Sequence, residues 1–298
     1  MKKVKWGGIK LGEEKVYDLE YADDMVLLAE GEDEMRSMME RLERYLDKKR
    51  LELNAEKTKI MRFRKGGRRM VKRDWWWKGR KVEEVKEFRY LGYTLQRNGG
   101  QEAHVKERVK KAAAVMGQVW GIGKRRFGKD WGRRLWLFDK LVWTVMGYGV
   151  EIWGWEEREG MKRLEERYLR WVLGVDRRTP GYLLRKELQR KKLRGRAEAG
   201  RRLEEGGGSE LARRCWEKVK ERSKRRGRLS DWEEGRKKYL SDRGLWEEGE
   251  RERKGGEETR LEEMVKWERE VQRAERWERI KESRYGKWYK EVKEKGVP

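Results

Sequence analysis

Two adjacent carboxylates, Asp23 and Asp24, stand between two stretches that lean apolar, residues 15–21 and 25–29. Like charges this close repel, so a fold keeps both ionised only where water reaches them or a cation neutralises them. Hard carboxylate oxygens suit Mg²⁺ or Mn²⁺. Two such ions roughly 3.5–4 Å apart stabilise the attacking and leaving oxygens of a phosphoryl transfer. An ordinary acidic turn is the competing reading, and the pair by itself does not separate the two.

The elements around the pair must place it. Residues 15–21 alternate partly and 25–29 form a short apolar run, so two strands flanking a tight turn are expected. Met35, Met38, Met39, Leu42, Tyr45 and Leu46 then recur at helical spacing, with Glu32, Asp33 and Glu34 at the positive end of the dipole. The spacing predicts a helix over about 33–49 that lays Met35, Met39, Leu42 and Leu46 on the sheet. Residues 59–63 alternate like a strand and 87–92 read as a last short strand, with Gly66-Gly67 and Lys78-Gly79 as punctuation.

From about 101 to 195 the period becomes helical. Val105, Val109, Ala112, Ala113 and Met116 mark one face, Leu135, Phe138, Leu141 and Val142 another, and Leu164, Tyr168, Leu169, Trp171 and Val172 a third, before Thr179-Pro180-Gly181 breaks the pattern. Beyond 196 the chain is dominated by Arg, Glu and Lys and carries a Gly206-Gly207-Gly208-Ser209 linker signal, so solvated helices or disorder are expected. The expected fold class is α+β, in three regions: 1–97, 98–195 and 196–298.

The chain has 298 residues, 81 Lys+Arg against 56 Asp+Glu, and a formal charge of +25, which attracts it to phosphate backbones. One Cys and one His exclude a disulfide framework and any zinc finger or knuckle built from this chain alone. The longest uncharged apolar-rich run, 141–150, falls far short of the roughly 20 residues that a membrane span needs. The first residues, MKKVKWGGIKLGEEK, lack the apolar region of a secretory signal. The expected location is therefore intracellular, nucleus or cytoplasm, with no membrane partner. Trp75-Trp76-Trp77 would suit base stacking, but a strand packed on a helix is the favoured reading. His104 and Cys215 stand alone and are expected to be structural or exposed.

Tyr21-Ala22-Asp23-Asp24 followed by Met25-Val26-Leu27-Leu28-Ala29 resembles the catalytic hairpin of reverse transcriptases, specifically those of non-LTR retrotransposons. After the predicted helix, residues 51–59 (LELNAEKTK) are similar to the palm element that follows that hairpin, and residues 88–95 (FRYLGYTL) to the primer-grip hairpin. Three such segments in order are far more specific than any one. Residues 148–153 and 170–175 resemble the thumb and following region, so the likeness covers about 1–195.

The resemblance implies a partial polymerase palm with the catalytic and primer-grip-like hairpins over 1–97, a thumb-like helical region over 98–195, and a charged tail. Asp23 and Asp24 would be two of three metal-binding carboxylates for Mg²⁺ or Mn²⁺. Lys57 would lie near the triphosphate and help protonate or neutralise the leaving pyrophosphate. Tyr90, Leu91 and Gly92 would form the turn holding the primer end. The implied partners are an RNA template, a DNA primer and deoxynucleoside triphosphates. The family's third carboxylate and its fingers lie upstream of this hairpin, whereas only about twenty residues precede Tyr21 here. The expectation is therefore a fragment of an RNA-directed DNA polymerase, inactive alone. A non-catalytic, basic nucleic-acid-binding relic is the alternative.

Overall fold

The computed structural model describes residues 7–11, 14–64, 71, 73–154, 156–190 and 258–283, with scattered positions over 214–241 and 286–291. They fall into two compact units, 1–103 with 214–222, and 104–213 with 223–298. The fold class is α+β, with short strands first and helices after.

In the first unit Ile9–Leu11 (β1) pairs antiparallel with Glu14–Val16 (β2), and Asp18–Tyr21 (β3) with Asp24–Leu27 (β4). The single strand expected over 15–21 is thus two, which belong to different hairpins. Tyr17 lies between them and its carbonyl accepts the Leu28 N–H at 2.8 Å, lengthening the second ladder. Glu32–Lys49 (α1) follows, one residue longer than the spacing predicts. Its cap, Gly31, has no side chain, but the Glu34 carboxylate reaches back to accept the Glu30 N–H at 3.2 Å. Arg50, left-handed at φ 55°, ends it. The Leu51 N–H closes on the Leu46 carbonyl at 2.9 Å and the Arg50 N–H on that of Asp47 at 3.1 Å, the double bond of a Schellman stop.

Lys59–Ile60 (β5), Trp75–Trp77 (β6) and Arg80–Glu84 (β7) form one sheet in the order β5-β7-β6, with β5 parallel and β6 antiparallel to β7. The strand expected over 59–63 ends at Ile60. Glu87–Tyr90 (β8) and Tyr93–Gln96 (β9) make the last hairpin. Leu42 and Leu46 of α1 bury against Ala55, Ile60, Trp75, Trp77 and Val82, with Met25 and Leu27 of β4 packed beside them. Each fully buried apolar side chain of this kind is worth about 1.5–3 kcal/mol. The fully buried residue one turn before Leu42 is Met38, while Met35 and Met39 are half-buried on its flanks. Trp75 and Trp77 are core, as a strand packed on a helix requires. Trp76 faces out.

The second unit is helical where described. Glu102–Phe127 (α2) buries Val105, Ala112, Met116 and Val119. Trp131–Leu137 (α3) is capped by Asp130, whose carboxylate accepts the Arg133 N–H at 2.9 Å. It continues through a π-helical turn, Phe138–Val142, into Trp143–Met146 (α4). Val150–Trp153 (α5), Glu159–Leu173 (α6) and Gly181–Glu187 (α7) follow. Glu258–Glu282 (α8) packs on α7. Gly123 is where α2 and α6 approach, since a Cβ there would lie 2.7 Å from the Trp171 ring.

Charge is also buried here. Arg185 pairs with Glu165 at 3.0 Å and Glu166 at 2.9 Å, and Arg190 with Asp139 at 2.6 Å and Glu165 at 3.4 Å. Burial opposes the charge of both guanidiniums, but the facing carboxylates outweigh it and raise both pKa values. His104, also buried, has Nε2 3.0 Å from the Tyr148 carbonyl, which the Trp153 indole N–H reaches too, at 3.1 Å. The Gly206–Ser209 linker signal lies outside the described residues. Among those described, no helix is long and apolar enough to cross a membrane.

Candidate active site

The register Tyr21↔Asp24 leaves two residues, Ala22 and Asp23, to turn the β3–β4 hairpin. A two-residue hairpin needs positive φ at its first turn position, and Ala22 supplies it at 50° without being glycine. A left-handed alanine costs roughly 1–2 kcal/mol. Asp23 therefore projects from the turn itself, while Asp24 opens the return strand opposite Tyr21. Both carboxylates are exposed, and so is Tyr21. Behind them, Met25 and Leu27 fix the hairpin to the core under α1.

The two carboxylates offer adjacent hard oxygens that water reaches, a donor set that fits a divalent ion. Among the described residues no group of three or more His, Cys, Asp or Glu side chains comes together as a metal cage. Asp18 and Glu20 lie on β3 at register positions opposite Leu27 and Met25, on the strand before the tip.

The β8–β9 hairpin also turns in two residues, but with positive φ at both. Tyr90↔Tyr93 leaves Leu91 and Gly92 as the turn, with φ 46° and 81°. Both positions of this turn type must be left-handed, which Gly92 does freely and Leu91 only with strain. Leu91 is exposed nonetheless. Lys57 occupies the turn after α1, where its backbone N–H donates to the Asn54 side chain at 3.1 Å and its ammonium faces solvent. No ion pair or hydrogen bond joins Lys57 to Asp23 or Asp24. The structure brings the two aspartates to one tip and leaves Lys57 and the Tyr90–Gly92 turn on separate elements of the same unit.

Residues 7–95 match the reverse transcriptase (RNA-dependent DNA polymerase) family. Over these residues the chain is similar to reverse transcriptases. The match runs from before β1 to Leu95 within β9 and so takes in both hairpin tips and Lys57. The chain is also 26% identical over 173 residues to a transposon-derived protein of Caenorhabditis elegans, an alignment covering 58% of this chain and 60% of that protein. No solved structure matches it. Reverse transcriptases act on nucleic acid and depend in general on divalent metal.

Within the first unit, one group of residues escaped the sequence reading. Arg62 donates to Glu84 at 3.0 and 2.8 Å and to Glu32 at 2.6 Å, and Arg97 donates to Glu84 at 2.8 Å. The Glu84 bonds, and to a lesser extent those to Glu32, raise the Arg62 pKa against the cost of burial. This chain of charges joins the start of α1, just after the aspartate hairpin, to the end of β7 and to the residue after β9. No spacing signals it, because its members come from four separated segments.

Proposed function

We propose that the first unit is the part of a retrotransposon RNA-directed DNA polymerase palm that carries the catalytic hairpin. The observation that bears this reading is the placement of Asp23 and Asp24 at the exposed tip of a two-residue β-turn inside a segment matching reverse transcriptases. Asp23 and Asp24 hold Mg²⁺ or Mn²⁺, which supplies charge stabilisation to the attacking and leaving oxygens when bound. Lys57 offers its ammonium to the leaving pyrophosphate, and Tyr90, Leu91 and Gly92 press on the primer end. The helical unit acts as the thumb, and the partners are an RNA template, a DNA primer and deoxynucleoside triphosphates.

Two adjacent carboxylates cannot by themselves hold two ions at a fixed separation, and positioning plus charge stabilisation supplies most of the rate. A further carboxylate beside Asp23 and Asp24 is therefore needed, and without it these residues do not polymerise. Primer extension on an RNA template with Mg²⁺ or Mn²⁺ tests this. The expected result is no extension by the chain alone, extension when a preceding palm–fingers segment is supplied, and its loss in Asp23→Ala. Extension by the chain alone that vanishes in Asp23→Ala would overturn the inactivity. The surplus of Lys and Arg favours a second reading, a nucleic-acid-binding relic without chemistry. Binding that persists while no added segment restores extension would select it.

A further inference from the structure

Between Glu107 and Asp139 the sequence holds nine Lys and Arg but a single carboxylate, Asp130. That carboxylate is occupied as the cap of α3 and lies 3.3 Å from the Arg133 guanidinium. Lys124, Arg125, Arg126, Lys129 and Arg133 are all exposed around the turn from α2 into α3.

Two large aromatics of α3 are exposed. Trp131 is 47% exposed at the first turn of α3 and Trp136 is 57% exposed further along it. Arg133, Trp136 and Lys140 follow at spacings of three and four, which places them on one helix face, and all three are exposed. The same element buries Leu137, Phe138 and Val142. Exposure is not imposed on tryptophan by this unit, for Trp153 is buried in it. An indole left in water forgoes the stabilisation that burial brings and offers a flat apolar face between cations.

We propose that this face binds an unpaired nucleic-acid strand, with Trp136 stacking on a base, Trp131 offering a second indole at the start of the same helix, and Arg133, Lys140 and the cations over 124–129 neutralising phosphates. Phosphates alone would be served by the cations. The indoles add what only exposed base faces can use, so the occupant is single-stranded rather than an intact duplex. The inference deepens the nucleic-acid reading above and rests on it.

The test uses the full chain and fluorescence anisotropy with labelled single strands of RNA and DNA of one sequence and their blunt duplex, across a salt series. Trp136→Ala should weaken single-strand binding by about tenfold without changing the salt slope, Trp136→Phe should restore most of it, and the duplex should be little affected. Arg133→Ala and Lys140→Ala should each flatten the log–log salt slope by about 0.7. A loss on both polymers assigns the face to unpaired strands in general, and a loss on one assigns it to that polymer. Trp76→Ala, which removes an exposed tryptophan of the other unit, should leave affinity unchanged. Single-strand affinity unchanged in Trp136→Ala, or a loss equally large on the duplex or in Trp76→Ala, overturns the proposal while leaving general nucleic-acid binding intact. Absence of binding to any of the three at low salt overturns both.

Discussion

Arg62 and Glu84 meet as a fork, Nε to one carboxylate oxygen at 3.0 Å and Nη2 to the other at 2.8 Å, with both side chains largely shielded from solvent. The pair is the centre of a chain of charges in which Glu32 holds Arg62 from one side and Arg97 holds Glu84 from the other. Planar, two-point recognition is something guanidinium does and ammonium does not.

Glu84→Ala should therefore destabilise the first unit by about 2–3 kcal/mol, because it removes the carboxylate that two guanidiniums share and leaves Arg62 only Glu32 as an ion partner. Arg62→Lys should cost less, keeping the charge but losing the fork. Urea denaturation followed by circular dichroism reads both. Equal midpoints for Glu84→Ala and the wild type would contradict the assignment.

Glu165 and Glu159 offer a contrast between buried and exposed charge. Glu165 faces Arg185 and Arg190 in the interior of the helical unit, so Glu165→Leu should cost about 3–5 kcal/mol. Glu159 pairs with Lys162 and Arg163 at the surface, and those cations lower its pKa. Glu159→Ala should nevertheless cost less than about 1 kcal/mol, since exposed pairs are screened. Thermal melts of the two variants side by side check the ordering.

His104 should make the chain lose stability as pH falls. Burial is the main cause of its lowered pKa, with the nearby Arg108 acting the same way, while the Tyr148 carbonyl, Glu107 and Glu151 oppose it. A base whose folded pKa lies below its unfolded value of about 6.5 is protonated more readily in the unfolded chain. Its contribution is thus fully present above about pH 6.5 and declines as pH drops toward the folded pKa. The melting midpoint should fall between pH 7.5 and pH 5.5 in the wild type and fall less in His104→Gln.

The Leu91-Gly92 turn separates backbone strain from side-chain contact. Gly92→Val forces a β-branched residue to positive φ and should cost about 1–2 kcal/mol. Leu91→Gly relieves the strain at Leu91 and should leave stability within about 1 kcal/mol of the wild type. In a reconstituted polymerase the same Leu91→Gly change should still reduce extension if the exposed leucine presses on the primer. Full activity in Leu91→Gly would assign the residue to the turn alone.

Much of the first unit was legible because its signals are local. The acids at 32–34 and the apolar repeat from Met35 to Leu46 placed α1 to within a residue, and Lys78-Gly79 marked a real turn, whereas the strand expected over 87–92 stops at Tyr90, where Leu91 and Gly92 turn the chain. Where placement depended on distant partners, the sequence reading fell short. Tyr17 splits residues 15–21 because β2 and β3 answer to different strands, and β5 stops at Ile60 because its pairing with β7 extends only from Lys59↔Glu83 to Ile60↔Glu84, while Arg62 turns to its carboxylates. Met38 is the fully buried methionine of α1 because Gly7 sits against it, a contact 31 residues away that no spacing announces. At the candidate site, Asp23 and Asp24 could be picked out from residue type and setting. The Arg62–Glu84–Arg97 chain could not, since charges are common in this sequence and only the fold selects which of them meet.

The parallel pairing of β5 with β7 has a kinetic consequence. The hairpins β1–β2, β3–β4, β6–β7 and β8–β9 each close over a few residues and can form within microseconds. Lys59, by contrast, waits for Glu83, 24 residues further along. Two-stranded hairpins are marginal by themselves. On a growing polypeptide the aspartate turn and α1 leave the ribosome first, yet their scaffold cannot lock until residue 84 has been made. The aspartate tip exists in outline before anything holds it still.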